Sequence, residues 1–279
     1  MAQNRAINGI SPLNTVITGA SSGIGRALAV EFARHGHPVL ATARREECIE
    51  ELCEQMAQEG NPCVRCFPLD LTAPGAAKAL LDEAVRVFGK VHVLINAAGM
   101  SPYQEFSELS CANVRRIIEL NVLALTELCH LYLPHMQAHG EPGHIVNVGS
   151  VGAYAPLPRF SVYTGSKNYV RAFTDILAYE CRGANIRVSA LHPGGTLTEF
   201  PRLAGQQIKP FARKTMLTPE RVAEIAYPAI LKGQRVIVPG FANQLAVLLG
   251  KLLPFPWAIR LTDFVYRQSM DQVPPEYPS

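Results

Sequence analysis

The chain has 279 residues, 48% apolar and 18% charged, and its 26 Lys and Arg against 23 Asp and Glu leave a net charge of +3. A chain of this length removes about 75% of its unfolded surface from water and fills one large core, which excludes a disordered chain and a disulfide-stapled mini-protein. The small net charge, with no Lys/Arg run of five or more, argues against a nucleic-acid partner.

The opening stretch MAQNRAINGISPLN has neither the basic region nor the apolar run of a signal peptide. Seven scattered cysteines, an odd count, suit reduced thiols, so a cytoplasmic setting is expected. Short β-branched runs follow at 15–18, 39–42, 64–68, 91–95, 144–148, 186–191 and 235–238. Between them, apolar residues recur at helical spacing over 24–35, 46–59, 75–88, 111–137, 163–182 and 219–231. This alternation predicts an α/β fold with a doubly wound, seven-stranded parallel sheet flanked by helices. Continuous apolar strands such as VLIN and IVNV imply cover on both faces.

Residues 1–240 are read as the catalytic domain and 241–279, with Pro254, Pro256 and the Pro274–Pro275 pair, as a helical appendage at the substrate pocket. No window reaches the ~18 consecutive apolar residues of a membrane span. The nearest, 241–253, is broken by Asn243, Gln244 and Lys251. It reads as a core or lid helix, with weak peripheral membrane contact as the alternative.

The first strand runs into Thr18-Gly19-Ala20-Ser21-Ser22-Gly23-Ile24-Gly25 and then a helix. Glycines there permit close backbone approach, and a helix N-terminus offers free N–H groups and a positive dipole to a pyrophosphate. The Gly19, Gly23, Gly25 spacing departs from the ordinary dinucleotide fingerprint, so a tight structural loop stays open on this motif alone. The second strand ends in Ala43-Arg44-Arg45, where an NAD site would place an acid. A guanidinium there can hold a 2′-phosphate, which points to NADP(H); the alternative is a solvated helix entry paired with Glu46 and Glu47.

TGASSGIG, followed by Tyr163-Thr164-Gly165-Ser166-Lys167, resembles the classical short-chain dehydrogenase/reductase family over about residues 14–239. Asn96-Ala97-Ala98-Gly99 is similar to that family's NNAG, and His192-Pro193-Gly194-Gly195-Thr196-Leu197-Thr198 to its PGxxxT. The resemblance implies a Rossmann-type fold and a catalytic tetrad of Asn121, Ser150, Tyr163 and Lys167. It implies a dinucleotide held by Gly19, Ser21, Ser22, Gly23, Ile24, Gly25, Arg44, Arg45, Asp70, Leu71, Asn96, Ala97 and Gly99, together with Tyr163, Lys167, Pro193, Gly194, Thr196 and Thr198. Asp70 would meet the adenine and 193–198 the nicotinamide end. It also implies a homodimer or homotetramer built on helices 111–137 and 163–182.

Tyr163 and Lys167, four apart on a helix, share one face. Moving a phenol from ~10 to ~7 takes about 4 kcal/mol, which one cation at ~4 Å in an effective dielectric of ~20 supplies. Tyr163 is thus expected to act as general acid in carbonyl reduction and general base in alcohol oxidation, with Ser150 on the carbonyl oxygen. Asn121, polar within an apolar helix run, would hold a proton-relay water or cap an inter-helix contact.

By family analogy 100–106, 151–160 and 196–216 line the substrate pocket. Their apolar residues, with Leu203, Ile208, Phe211 and Met216, suggest a hydrophobic carbonyl or alcohol, and Arg159 an acidic group on it. No metal is expected. Cys63 and Cys66 point to opposite faces of a strand, and His135 with His139 lacks a third ligand. His192 is read as structural. The alternatives are a β-ketoacyl thioester reductase, for which no basic carrier-binding run is evident, and a nucleotide-sensing protein without turnover.

Overall fold

The computed structural model describes residues 11–61 and 63–273. The first ten residues of the polar opening stretch and the Pro274–Pro275 pair lie outside the described residues. The elements alternate as β1 (Thr15–Thr18), α1 (Gly23–Arg34), β2 (Val39–Ala43), α2 (Glu46–Gln58), β3 (Val64–Pro68), α3 (Ala76–Phe88) and β4 (Val93–Asn96). Then come α4 (Cys111–Ile118), a π-helical segment (Glu119–Ala124), α5 (Leu125–His139), β5 (Gly143–Val148), α6 (Ser161–Glu180) and β6 (Ile186–Leu191). The chain continues as α7 (Phe200–Leu203), β7 (Gln206–Ile208), α8 (Pro210–Arg213), α9 (Pro219–Leu231) and β8 (Val236–Ile237). It finishes with α10 (Phe241–Leu252), α11 (Phe255–Ser269) and β9 (Met270–Gln272).

Seven parallel strands form the Rossmann-type sheet in the order β3-β2-β1-β4-β5-β6-β8. Because side chains alternate across a strand, each strand feeds both cores. Ile17, Val39, Ala41 and Ile95 pack against Leu28 and Phe32 of α1, Leu52 of α2 and Ala226 of α9. Val16, Leu40, Leu94 and Ile145 pack on the other face against Leu80 of α3, Leu128 and Tyr132 of α5 and Val170 of α6. The order reverses between β1, whose next neighbour is β2, and β4, which leads on to β5. That reversal leaves a crevice at the carboxyl ends of the strands.

Three features depart from the sequence expectations. The helix expected over 111–137 runs to His139 and is interrupted at Glu119–Ala124, where a π turn adds a residue around Asn121. Helical periodicity cannot reveal this insertion, because the apolar stripe resumes beyond it. That stretch, Cys111–His139, is also long and apolar enough to cross a membrane, yet Leu125, Leu128, Cys129, Tyr132 and Met136 are buried in the core. Cys53 of α2 and Cys66 of β3 form a disulfide, which corrects the expectation that every cysteine is a reduced thiol. Packing of α2 on β3 brings their Cα atoms to 6.4 Å, a proximity that a separation of 13 residues does not announce.

The third departure is the pairing of β7 with β9. Gln206, Gln207 and Ile208 face Gln272, Asp271 and Met270 in an antiparallel ribbon that ties the end of the chain to the loop after β6. Between them, α10 rests on the turn after β5, where Val247 packs with Val151, Ala153 and Tyr154. A Cβ at Gly250 would lie 2.3 Å from the Tyr154 carbonyl oxygen, so only glycine allows α10 this close.

Candidate active site

A cleft of about 540 Å³ opens at the crevice between β1 and β4. One end is the turn from β1 into α1, formed by Gly19, Ser21, Ser22, Gly23, Ile24 and Gly25. Gly19 has φ +69°, and a Cβ there would strike Ala98 backbone at 2.8 Å; one at Gly25 would lie 2.3 Å from the Gly19 carbonyl oxygen. The Ser22 side chain makes no capping bond, so the first N–H groups of α1 are left for an anion. Thr18 locks this turn to the opposite wall, its Oγ1 accepting from the Ala97 and Ala98 N–H groups at 3.0 and 3.1 Å.

Farther along, Ala43, Arg44, Arg45, Asp70, Leu71 and Thr72 line the cleft. Arg45 is engaged: its Nη2 donates to Glu199 Oε2 at 2.9 Å and to Ser21 Oγ at 3.3 Å. Among the described residues, exposed Arg44 makes no hydrogen bond or ion pair, and its charge acts on Asp70. Burial raises the Asp70 carboxyl, but bonds from the Thr72 N–H and hydroxyl, with the Arg44 and Arg116 cations nearby, hold it below the ordinary range. The loop after β6 closes the facing wall with Pro193, Gly194, Gly195, Thr196 and Thr198. The Thr198 methyl lies 3.1 Å from where a Cβ on Gly23 would stand. A hollow that backbone atoms keep clear and an uncapped helix N-terminus together suit a dinucleotide.

Asn96 stands apart from the other expected cofactor ligands. It is 2% exposed and lies behind the wall, its Nδ2 donating to Asn147 Oδ1 at 2.9 Å and to Cys129 Sγ at 3.4 Å. Being the last residue of β4, its side chain falls on the core side, while Ala97, Ala98 and Gly99 reach the cleft.

Ser150, Tyr163 and Lys167 occupy one stretch of wall beside the loop after β6. Ser150 follows β5 and caps the short turn Val151–Ala153, accepting from the Gly152 N–H at 3.0 Å. Burial raises the Tyr163 phenol above its ordinary range, and the Ser150 hydroxyl bonded to it pulls in the opposite direction. Lys167 donates to the Val148 carbonyl at 2.8 Å and lies 5.7 Å from the centre of the Tyr163 ring. Burial lowers its ammonium to about 8. Of the influences on the phenol, burial is the largest, with the Ser150 hydroxyl opposing it.

Asn121 lies behind this wall. Its Oδ1 accepts from the Met100 N–H at 2.9 Å, and its Nδ2 donates to the Met100 carbonyl at 3.0 Å and to Ser166 Oγ at 3.1 Å. The π turn swings the amide onto the Met100 backbone, satisfying a buried polar group that a regular helix would leave facing apolar neighbours. A Cβ on Gly99 would stand 3.4 Å from Asn121 Oδ1 and 3.5 Å from Lys167 Nζ, so glycine keeps a gap open between the two.

Beyond Tyr163 the cleft is apolar, lined by Met100, Leu157, Phe160, Phe200, Leu203 and Met216, then by Gln206, Tyr266 and Met270. Tyr266 donates to Gln206 Oε1 at 2.8 Å. No spacing in the sequence singles out Gln206, Tyr266 or Met270; they arrive through the β7–β9 ribbon and α11. Arg159 does not line the cleft, contrary to its expected role toward an acidic substrate. Its backbone is left-handed at φ 65°, and its Nε donates to Glu105 Oε1 at 2.8 Å. Of the other expected lining residues, Ile208 is taken up by the ribbon and Phe211 is exposed.

His135 and His139 bond the Val91 N–H and carbonyl, and burial lowers His192 to about 4, leaving it neutral beside Tyr154. Among the described residues no cluster of three or more His, Cys, Asp or Glu is placed to hold a metal.

The family profile described as short chain dehydrogenase matches residues 14–209. Sulfoacetaldehyde reductase 2 of Chromohalobacter salexigens is 35% identical over 214 residues, 76% of this chain and 84% of that protein. A short-chain dehydrogenase from Sphingobium yanoikuyae, solved with NADPH, is 30% identical with a TM-score of 0.75, covering 86% of this chain and 93% of its own. One from Burkholderia phymatum, solved with NAD, is 26% identical with a TM-score of 0.75, covering 84% and 91%.

Proposed function

We propose that this chain, which belongs to the short-chain dehydrogenase/reductase family, is an NADP(H)-dependent reductase of uncharged, hydrophobic carbonyl compounds. Hydride-transfer oxidoreductase chemistry comes with the family. The observation that carries the proposal is that one cleft brings a glycine-rich turn, exposed Arg44 and the Ser150–Tyr163–Lys167 wall together with an apolar pocket.

When bound, the nicotinamide supplies the hydride. The chain's own task is the proton. Tyr163, held above the ordinary phenol range, keeps its proton at neutral pH and donates it to the carbonyl oxygen. Ser150 donates a second hydrogen bond to that oxygen as charge develops on it. Lys167, anchored on the Val148 carbonyl, stabilises the phenolate left behind. A water in the gap over Gly99, between Asn121 and Lys167, returns the proton from solvent. Arg44 takes the 2′-phosphate, Asp70 and Leu71 flank the adenine, and Pro193 to Thr198 hold the nicotinamide end.

Among the described residues, those lining the pocket past Tyr163 carry no charge, which favours an uncharged substrate. Loss of NADPH absorbance with a panel of ketones and aldehydes tests this. Hydrophobic ketones should turn over faster than short anionic aldehydes. Preference for an anionic aldehyde, such as the one for which the Chromohalobacter relative is named, would overturn the substrate class.

The pH profile tests the proton path. Lys167 titrates near 8, so it is charged below that pH and neutral above it, while Tyr163 stays protonated throughout. The kcat/KM for reduction should be level from about pH 6 to about pH 8, then fall up to tenfold per unit. A profile level to about pH 10 would show that Lys167 keeps its charge there and overturn its lowered titration.

A homodimer or homotetramer and a cytoplasmic setting complete the reading. The first is supported by exposed Leu123, Tyr169, Ile176 and Tyr179 on the π turn and α6; for the second, five free cysteines speak in favour and the Cys53–Cys66 disulfide against.

A further inference from the structure

Large apolar side chains on α10 and α11 face solvent. Leu252 is 71% exposed, Phe255 66%, and Trp257 and Phe264 64% each. Phe255 is exposed in the first turn of α11, and beyond it helical spacing sorts the outward side chains from those that dock the pair. On α11, Trp257, Leu261 and Phe264 fall on one side, while Ala258, Thr262 and Tyr266 face the body, where Thr262 bonds the Pro156 carbonyl. On α10, Leu245 and Leu252 lie outward and Val247 inward.

Among the described residues around this face, the carboxylates are paired and cations are left over. Asp263 is answered by Arg267 at 2.8 Å and Asp271 by Lys209 at 3.3 Å. Arg213, Lys214, Lys251 and Arg260 form no ion pair among the described residues, although Lys251 lies over the Tyr154 ring at 5.2 Å. The Lys209 N–H bonds the Ser269 carbonyl, which sets α8 and its two cations beside the end of α11.

We propose that α10 and α11 form a docking surface for an anionic lipid bilayer, with the aromatic and leucine side chains in the interface and the four cations at the headgroups. Amphipathic helices with Trp, Phe and Leu on one side and Lys or Arg at the margin bind membranes in this way. A second copy of the chain fits less well, because two-fold pairing would set the same four unanswered cations against each other. Tyr266 of α11 and Met270 of β9 also wall the apolar cavity, so a docked chain holds that wall against the bilayer, where hydrophobic carbonyl compounds dissolve. Docking itself does not depend on the reading of the cavity.

The test uses the full chain with vesicles of phosphatidylcholine, with and without phosphatidylglycerol, and no cofactor or substrate, so that failed catalysis leaves the result standing. Trp257 is the sole tryptophan and reports directly. With phosphatidylglycerol present, the protein should sediment with the vesicles, its emission should shift to the blue, and added salt should weaken both effects. The double variant Phe255→Ser, Phe264→Ser should bind at least ~10-fold more weakly with an unchanged circular dichroism melt. Three results would overturn the proposal. The chain could stay in the supernatant with an unmoved emission maximum. It could double in mass without vesicles through the same two phenylalanines. It could capture acyl carrier protein while ignoring lipid.

Discussion

Replacing Tyr163 with phenylalanine should lower NADPH-dependent ketone reduction by about 10²- to 10⁴-fold, the range a positioned proton donor contributes. The change removes one oxygen from a ring packed between Phe160 and Phe200, with centroids 5.3 and 5.6 Å away, so the wall keeps its shape. What disappears is the proton that burial holds on the phenol, together with the hydrogen bond to Ser150. NADPH affinity, followed by nucleotide fluorescence, should change little, since the 2′-phosphate and pyrophosphate ends of the cleft are untouched. Activity within tenfold of the parent would remove Tyr163 as proton donor and favour a nucleotide-sensing protein without turnover.

Ala43→Asp should lower the kcat/KM preference for NADPH over NADH by about 10²-fold, equivalent to ~2.7 kcal/mol. Ala43 ends β2 and lines the cleft beside Arg44. A carboxylate there repels a 2′-phosphate and accepts from a ribose 2′-hydroxyl, so the two cofactors move in opposite directions. Arg45 offers little compensation, because Glu199 and Ser21 already occupy its Nη2. Rates with NADH and NADPH measured on one ketone check this, and an unchanged ratio would reassign both arginines to a solvated helix entry.

The frame of the molecule was readable because its signals are local. The glycine turn, apolar strands such as β4 and β5 and the helical stripes of α1 and α9 each declare themselves within a dozen residues. The alternation of strand and helix then orders the sheet. The Ser150, Tyr163 and Lys167 wall was readable by resemblance and by the four-residue spacing on α6. What escaped were features made by contacts distant in sequence. Cys53 meets Cys66 only because α2 packs on β3. Asn96 ends an apolar strand and turns into the core, where Asn147 and Cys129 receive it. Arg159 sits in a segment that borders the cleft, but Glu105 holds its side chain elsewhere. Gln206 and Met270 are neighbours only through the ribbon.

That ribbon divides the labour of the cleft between two lengths of chain. The groups assigned to proton delivery and dinucleotide recognition lie within the region common to the family, whereas Tyr266 and Met270 come from beyond it. On the proposed reading, changes in α11 and β9 would retune which molecules are accepted while the chemistry stayed fixed, so a lineage could diversify its diet there without rebuilding its reaction.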